Sequence, residues 1–279
     1  MLDLADRPVG HIELMKWSFL LAKETSSHGG DAFYDFLPYK LGPFSFCLQR
    51  DLNTLVQDKI VEESDDSHWN LTRNAKKRIH SLSADIWADL SSIVKRYSIW
   101  RSKDLIDHVY KNHPWYTINS ELTRFQKRPI ANPNIYTSGY EGLSVDAFLN
   151  LLLCKGIGRL IDVRNNPIAR RYGFHKSSLS RLCDRLDIDY VHFPELGIES
   201  DRRQNLRTIS DYADLFDDYE TSTLVSQHKS INAIADLVAE KPSVMVCMER
   251  HPSCCHRTKL ARAVSRVNGL LVIDLREET

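Results

Sequence analysis

Between Cys247 and Arg257 the chain reads C-M-E-R-H-P-S-C-C-H-R, which sets thiols, a carboxylate, imidazoles and guanidinia within eleven positions. The preceding Ser243–Met248 run has the length and β-branched content of a buried strand. From Arg257 onward the apolar spacing becomes helical, so the polar residues occupy a strand-to-helix elbow. Strand alternation puts Cys247 and Glu249 on one face at the C-terminal end. A helix start turns unpaired N–H groups and the positive end of its dipole outward, which makes Cys255, His256 and Arg257 a candidate anion cradle. In that role Arg257→Ala should abolish activity at little cost in stability.

Several chemistries fail on spacing. A thiol phosphatase places an arginine six positions after its cysteine, whereas Ser253 and Ala261 stand six after Cys247 and Cys255. Glu249 opposes the low-pKa thiolate that sulfur transfer needs. Structural zinc takes four ligands, commonly in paired units. Cys247, Cys254, Cys255 and His256 supply four donors, but neighbouring side chains should diverge and no second pair occurs elsewhere, so no metal is expected. The P-loop and glycine-rich dinucleotide patterns are absent.

The elements needed to position this elbow alternate along the second half. Strands are expected at 134–138, 159–163, 190–193, 243–248 and 270–275, and helices at 144–154, 177–186, 210–240 and 257–267. That order predicts an α/β fold with a doubly wound, mainly parallel sheet, whose ligands bind at the C-terminal strand ends. Those ends carry Tyr140 and Glu141, Asp162 and Arg164, Glu195, and Cys247 and Glu249. Carboxylates crowded there need the neighbouring Arg164, Arg170, Arg171 and Arg257, and crowding raises a carboxylate toward acid–base duty. The loop after Arg164 interleaves Arg170, Arg171 and Lys176 with Tyr172 and Phe174, a mixture suited to a phosphate backbone with stacked bases.

The first half has a different pattern. His11–Glu24 and Phe46–Gln57 have helical spacing, with Ser45 placed to cap the second. An acidic turn leads to Trp69–Thr72 and then to the basic triplet Lys76, Lys77 and Arg78. This is the order of a winged helix-turn-helix, with the triplet as DNA-contacting cations. The expected division is a mainly helical, winged-helix-like domain over 1–125, a linker over 126–133 and the α/β domain over 134–279. At 279 residues two domains are the default. Lys plus Arg equals Asp plus Glu at 37 each, which excludes a bulk polycation but not a local basic face. Six scattered cysteines lack the framework of a disulfide-stapled secreted domain. With no signal-peptide pattern and no long apolar window, a cytoplasmic protein without membrane contact is expected.

Two resemblances add to this. LPYKLGPFSFCLQRDLNTLVQDKIV and DLIDHVYKNHPW resemble the antitoxin-associated Panacea domain over roughly residues 8–120. YTSGYEG with SVDAFLNLL, LIDVRNNP with GFHKSSL, YVHFPELG and VCMERHPSCCHR resemble the blocks of a prokaryotic family catalogued as domain of unknown function 488, over roughly 134–275. This second resemblance implies an α/β fold and a shared pocket of Gly139, Tyr140, Glu141, Asp162, Arg164, Pro167, Glu195, Cys247, Glu249, Cys255, His256 and Arg257, with little chemistry attached. Ser138, where the family more often has an aliphatic residue, and the doubled Cys254–Cys255 depart from its pattern.

The combined reading is a DNA-acting hydrolase that cleaves the N-glycosidic bond of a modified nucleobase, in genome or anti-phage defence. Asp162, Glu249, Glu141, His256 and Cys247 are the candidate catalytic groups. Arg164, Arg257, Tyr140, Glu195, Arg170, Arg171, Phe174 and Cys255 are the candidate substrate groups, with Tyr140 or Phe174 stacking on the base. No cofactor is expected; the alternative, a metal-dependent phosphodiesterase, would hold a divalent ion on Asp162, Glu195 and Glu249. A non-catalytic DNA-binding regulator or nucleotide sensor is the second alternative. The expected partner is DNA, with a homodimer or an antitoxin-like protein as further candidates. Replacing Lys76, Lys77 and Arg78 with Ala should weaken DNA binding similarly across sequences. The log–log salt slope should flatten by about one unit for each phosphate no longer neutralised, measured by titration over a range of salt.

Overall fold

The computed structural model describes residues 1–64, 68–73, 75, 82–203 and 209–276. Its chain divides into two compact units, Met1–Lys127 and Arg128–Thr279.

In the first unit α1 (Leu2–Ala5) and β1 (Val9–Gly10) lead into α2 (His11–Glu24), whose residues from Glu13 to Leu21 are all buried. A helix apolar nearly all round belongs at the centre of a core, and α2 packs against α4 (Ala84–Tyr97) and α5 (Ser102–Asn112). Its start is held by Glu13, which accepts the Gly10 N–H at 2.9 Å and pairs with Arg7. A hairpin, β2 (Leu37–Tyr39) with β3 (Gly42–Phe44), precedes α3 (Phe46–Gln57). Ser45 caps α3, its hydroxyl accepting the Leu48 N–H at 3.2 Å. The strands β4 (Val61–Glu63) and β5 (His68–Leu71) then form the wing. The antiparallel order β1-β5-β4 behind these helices gives a winged-helix-like topology. The wing carries exposed Glu62 and Glu63. Lys76, Lys77 and Arg78 lie outside the described residues.

In the second unit β6 (Ile135–Gly139), α6 (Val145–Cys154), β7 (Arg159–Asp162), α7 (Lys176–Asp184) and β8 (Asp189–His192) alternate as the pattern predicts. After α8 (Ile209–Asp218), α9 (Leu224–Ser226) and α10 (His228–Glu240) come β9 (Ser243–Cys247), α11 (Arg257–Asn268) and β10 (Val272–Leu275). All four pairings are parallel, in the order β10-β6-β9-β7-β8. Ile161, Met245 and Cys247 point into a core shared with α10 and α11. Leu160, Val244 and Val246, one residue out of step, are equally buried on the other face, so both faces of the sheet are covered. The helix expected over 210–240 is instead broken: a π turn at Tyr219–Thr223 rotates Tyr219 inward, where its hydroxyl donates to Leu196 O at 2.7 Å. β10 lies at an edge and leaves Val272 and Ile273 partly exposed. Among the described residues no helix is long and apolar enough to cross a membrane.

Burial of Lys16 in α2 lowers its ammonium from an ordinary 10.5 to about 7, while Nζ donates to Pro43 O at 2.9 Å. Between those two values the unfolded chain binds the extra proton, so stability should rise with pH from about 7 to about 10.5. Below pH 7 both states are protonated and this dependence vanishes. Urea midpoints across that range should show the rise in the natural chain and a flatter profile in Lys16→Met.

Candidate functional site

β9 is the central strand, and Cys247 is its last residue, paired in register with Gly139 of β6. The strand stops there, so Glu249 lies in the turn beyond it and not in alternation with Cys247. The turn nevertheless brings the two together. The Cys247 thiol donates to Glu249 Oε2 at 3.0 Å, and the Cys255 thiol donates to the same oxygen at 3.1 Å. His256 completes the group, its Nδ1 lying 3.8 Å from Cys247 Sγ and 4.0 Å from Cys255 Sγ. Cys255 and His256 are neighbours in sequence, and the expectation that their side chains diverge fails. Cys255 is extended, at φ −138° and ψ 133°, and His256 then turns into α11, which aims both side chains inward. Cys254 is exposed and takes no part in the cluster.

The ring of His256 is fixed from behind. Nε2 lies 3.0 Å from the Val163 carbonyl, which can only accept, so Nε2 donates there and Nδ1 faces the sulfurs. Cys247, Cys255 and His256 are almost wholly buried, whereas Glu249 is half-buried. Burial first, and then the neighbouring Cys247 and Glu249, push the Cys255 thiol well above its ordinary range. Arg257 acts in the opposite sense on Cys255.

Arg257 does not line an anion cradle. Its side chain is fully buried, donating through Nη1 to Glu249 O and through Nη2 to Arg250 O and Asp274 Oδ1 at 3.2 Å each. It therefore clamps the turn that carries Glu249 onto β10. Gly139 makes room for this clamp, because a Cβ there would lie 1.8 Å from the Glu249 carbonyl oxygen. Glu141 secures the same turn, accepting the Arg250 N–H at 2.9 Å.

The second set of expected site residues is structural as well. Asp162 is fully buried, and both its oxygens are engaged by Arg164, one of them also by the Tyr190 hydroxyl at 2.6 Å. Burial works against the Arg164 guanidinium, but the hydrogen bonds and charge of Asp162 outweigh it and hold Arg164 protonated. Arg164 also reaches the Tyr140 hydroxyl at 2.9 Å and Phe174 O at 2.8 Å. Tyr140 and Phe174 are stacked on one another, with centroids 4.0 Å apart and planes at 11°, and both are buried. Neither ring presents a face to a base, and Asp162 has no oxygen left for acid–base work. Glu195 is exposed and accepts from the Ser230 hydroxyl.

Exposed cations surround these strand ends. Arg170 and Arg171 are exposed, and Arg171 donates to Gly142 O just beyond β6. Lys176 reaches His192 at the end of β8, and Arg250 is exposed beyond β9. Lys176 is the third cation of the segment after Arg164, whereas nothing in the sequence singles out Arg250, because a lone cation in another loop joins that group only once the strand order is known.

Arg257→Ala should therefore destabilise the second unit by about 1.5–3 kcal/mol or more, the loss for a charge-assisted hydrogen bond whose carbonyl partner is left without it. Thermal unfolding should show a large loss, in contrast to the small cost expected from an anion-binding arginine. Gly139→Ala should produce a comparable loss through the steric overlap.

No curated protein and no solved structure matches the chain. Residues 144–264, which supply every member of the thiol–imidazole–carboxylate cluster, match the family described as Domain of unknown function DUF488.

Proposed function

We propose that the chain is a DNA-acting hydrolase whose reactive centre is the Glu249, Cys247, Cys255 and His256 cluster, and that the bond it cleaves is the N-glycosidic bond of a nucleobase. The observation that carries this reading is the half-buried Glu249 carboxylate set over a buried dithiol–imidazole floor at the C-terminal end of the central strand. Ligands of parallel sheets bind at that edge. A carboxylate there, partly open to water, can take a proton from an attacking water or give one to a leaving group.

With Asp162 locked by Arg164 and Glu141 engaged by the Arg250 N–H, we assign the acid–base work to Glu249. Glycosidic hydrolysis needs no more than one such group beside an oriented water. A metal held on Asp162, Glu195 and Glu249 loses support, since Asp162 and Glu195 already hold other partners. Arg170, Arg171, Lys176 and Arg250 supply exposed positive charge near three strand ends, which suits a phosphate backbone. With Tyr140 and Phe174 packed away, the exposed Arg250 and His251 beside Glu249 are the groups left to touch a base.

A second reading concerns the first unit. The exposed Glu62 and Glu63 of its wing repel phosphate, which favours a protein over DNA as that unit's partner, in keeping with its resemblance to an antitoxin-associated domain.

The test is incubation of the full chain with single- and double-stranded DNA carrying ordinary and modified bases. Glycosidic cleavage leaves an abasic strand that breaks in alkali, whereas phosphodiester cleavage leaves a nick without it. Glu249→Gln should slow product formation by about 10²–10⁴-fold. Absence of product from every substrate, or full turnover by Glu249→Gln, would sink the hydrolase reading.

A further inference from the structure

We infer that Cys247, Cys255 and His256 form a binding site for a single zinc-like transition-metal ion, with Glu249 set over its open side. The site shares side chains with the proposed hydrolytic centre but rests on donor geometry alone.

Three donor atoms, Cys247 Sγ, Cys255 Sγ and His256 Nδ1, lie within 4.8 Å of one another, and all three residues are buried. Around tetrahedral zinc, with Zn–S near 2.3 Å and Zn–N near 2.05 Å, a sulfur and a nitrogen ligand stand about 3.6 Å apart. The observed separations of 3.8 and 4.0 Å need only a few tenths of an ångström of closure. Nδ1, the ring atom that would ligate, already faces both sulfurs. That orientation is set by the Nε2 contact to the Val163 carbonyl, an outer-shell device that fixes tautomer and ring angle in histidine-ligated metal sites.

The donor types narrow the ion. Two thiolates and an imidazole in a compact, buried arrangement select zinc over magnesium or calcium, which take oxygen ligands. Both thiols donate to Glu249 Oε2, so that oxygen marks the side left open when an ion takes the place of the two thiol protons. Three protein ligands with one open corner is the catalytic type of zinc site, in contrast to the closed four-ligand structural type.

The test uses the full chain, reduced and freed of metal, titrated with Zn²⁺ and separately with Co²⁺. One equivalent should bind, and the cobalt form should show thiolate-to-metal charge transfer in the near ultraviolet with intense visible bands of tetrahedral geometry. Cys247→Ser, Cys255→Ser and His256→Gln should each lower affinity by more than about 100-fold, beyond the loss typical of an outer-shell change. Cys254→Ser should bind as the natural chain does. Because the three ligand variants touch the core and can misfold, alkylation of the unaltered chain provides an independent readout. Zinc should protect Cys247 and Cys255 from alkylation while Cys254 stays reactive, as read by peptide mass spectrometry.

No stoichiometric binding by the reduced natural chain, octahedral cobalt spectra, or zinc protection of Cys254 in place of the other two would each overturn the site. Glu249→Gln keeps the two proposals apart, since it should bind zinc within about tenfold of the natural chain while losing turnover. Zinc bound without product from any DNA overturns the hydrolase reading and leaves the metal site standing. Product formation by a chain that binds no metal does the reverse.

Discussion

The buried Arg257 guanidinium is the constraint from which the geometry around Glu249, at the C-terminal strand ends of the second unit, follows. Two of its nitrogens hold the carbonyls of Glu249 and Arg250, and one of them also pairs with Asp274 on β10. Through these contacts the start of α11, the turn after β9 and an edge strand become one rigid piece. An arginine suits this task because its planar fork donates in several fixed directions without losing its charge on burial. Gly139 is the steric condition for the same contact, since any side chain on β6 would displace the turn. The Glu249 carboxylate is consequently aimed from its backbone, and the thiols and imidazole beneath it are aimed by β9 and by the first residues of α11.

A second buried pair, Asp162 with Arg164, has a related but separate role. It fills the neighbouring strand end and ties in Tyr190 of β8 and Tyr140 beyond β6. Its members carry the charges expected of catalytic groups and are used as packing. Charged residues at the C-terminal ends of parallel strands thus divide into those that hold the edge together and those left facing outward. In this unit Glu249 and the loop cations Arg170, Arg171, Lys176 and Arg250 belong to the outward set.

That division marks the limit of what the residues alone disclose. The alternation of strands and helices from 134 to 275 is legible because each element has its own apolar period, and the parallel sheet follows from their order. His11–Glu24 and Phe46–Gln57 are legible to the residue, helped by the Ser45 cap. The hairpin at 37–44 is not, because two three-residue strands with a proline in each have no readable alternation. Cys247, Glu249, Cys255 and His256 stand out as a cluster by type and spacing. Their true relation depends on two things that spacing does not encode: the strand stopping at Cys247, and the extended backbone of Cys255 that lets two consecutive side chains point the same way. Burial likewise decides the roles of Arg257, Asp162, Tyr140 and Phe174, and burial belongs to the tertiary structure.

The position of β10 bears on how the unit comes into being. β6, the first strand of the sheet, is flanked by β9 and β10, so its two neighbours are the last two strands of the sheet in sequence order. Pairing across such long sequence separations is slow, because much loop-closure entropy is lost before any contact forms. On a ribosome, β6, β7 and β8 emerge with their central gap unfilled and their apolar faces open. The sheet closes only after residue 275 has left the exit tunnel, and Asp274, the partner that steadies Arg257, arrives with that last strand. The strand-end edge that carries Glu249 therefore takes its full set of contacts only once β10 has joined the sheet.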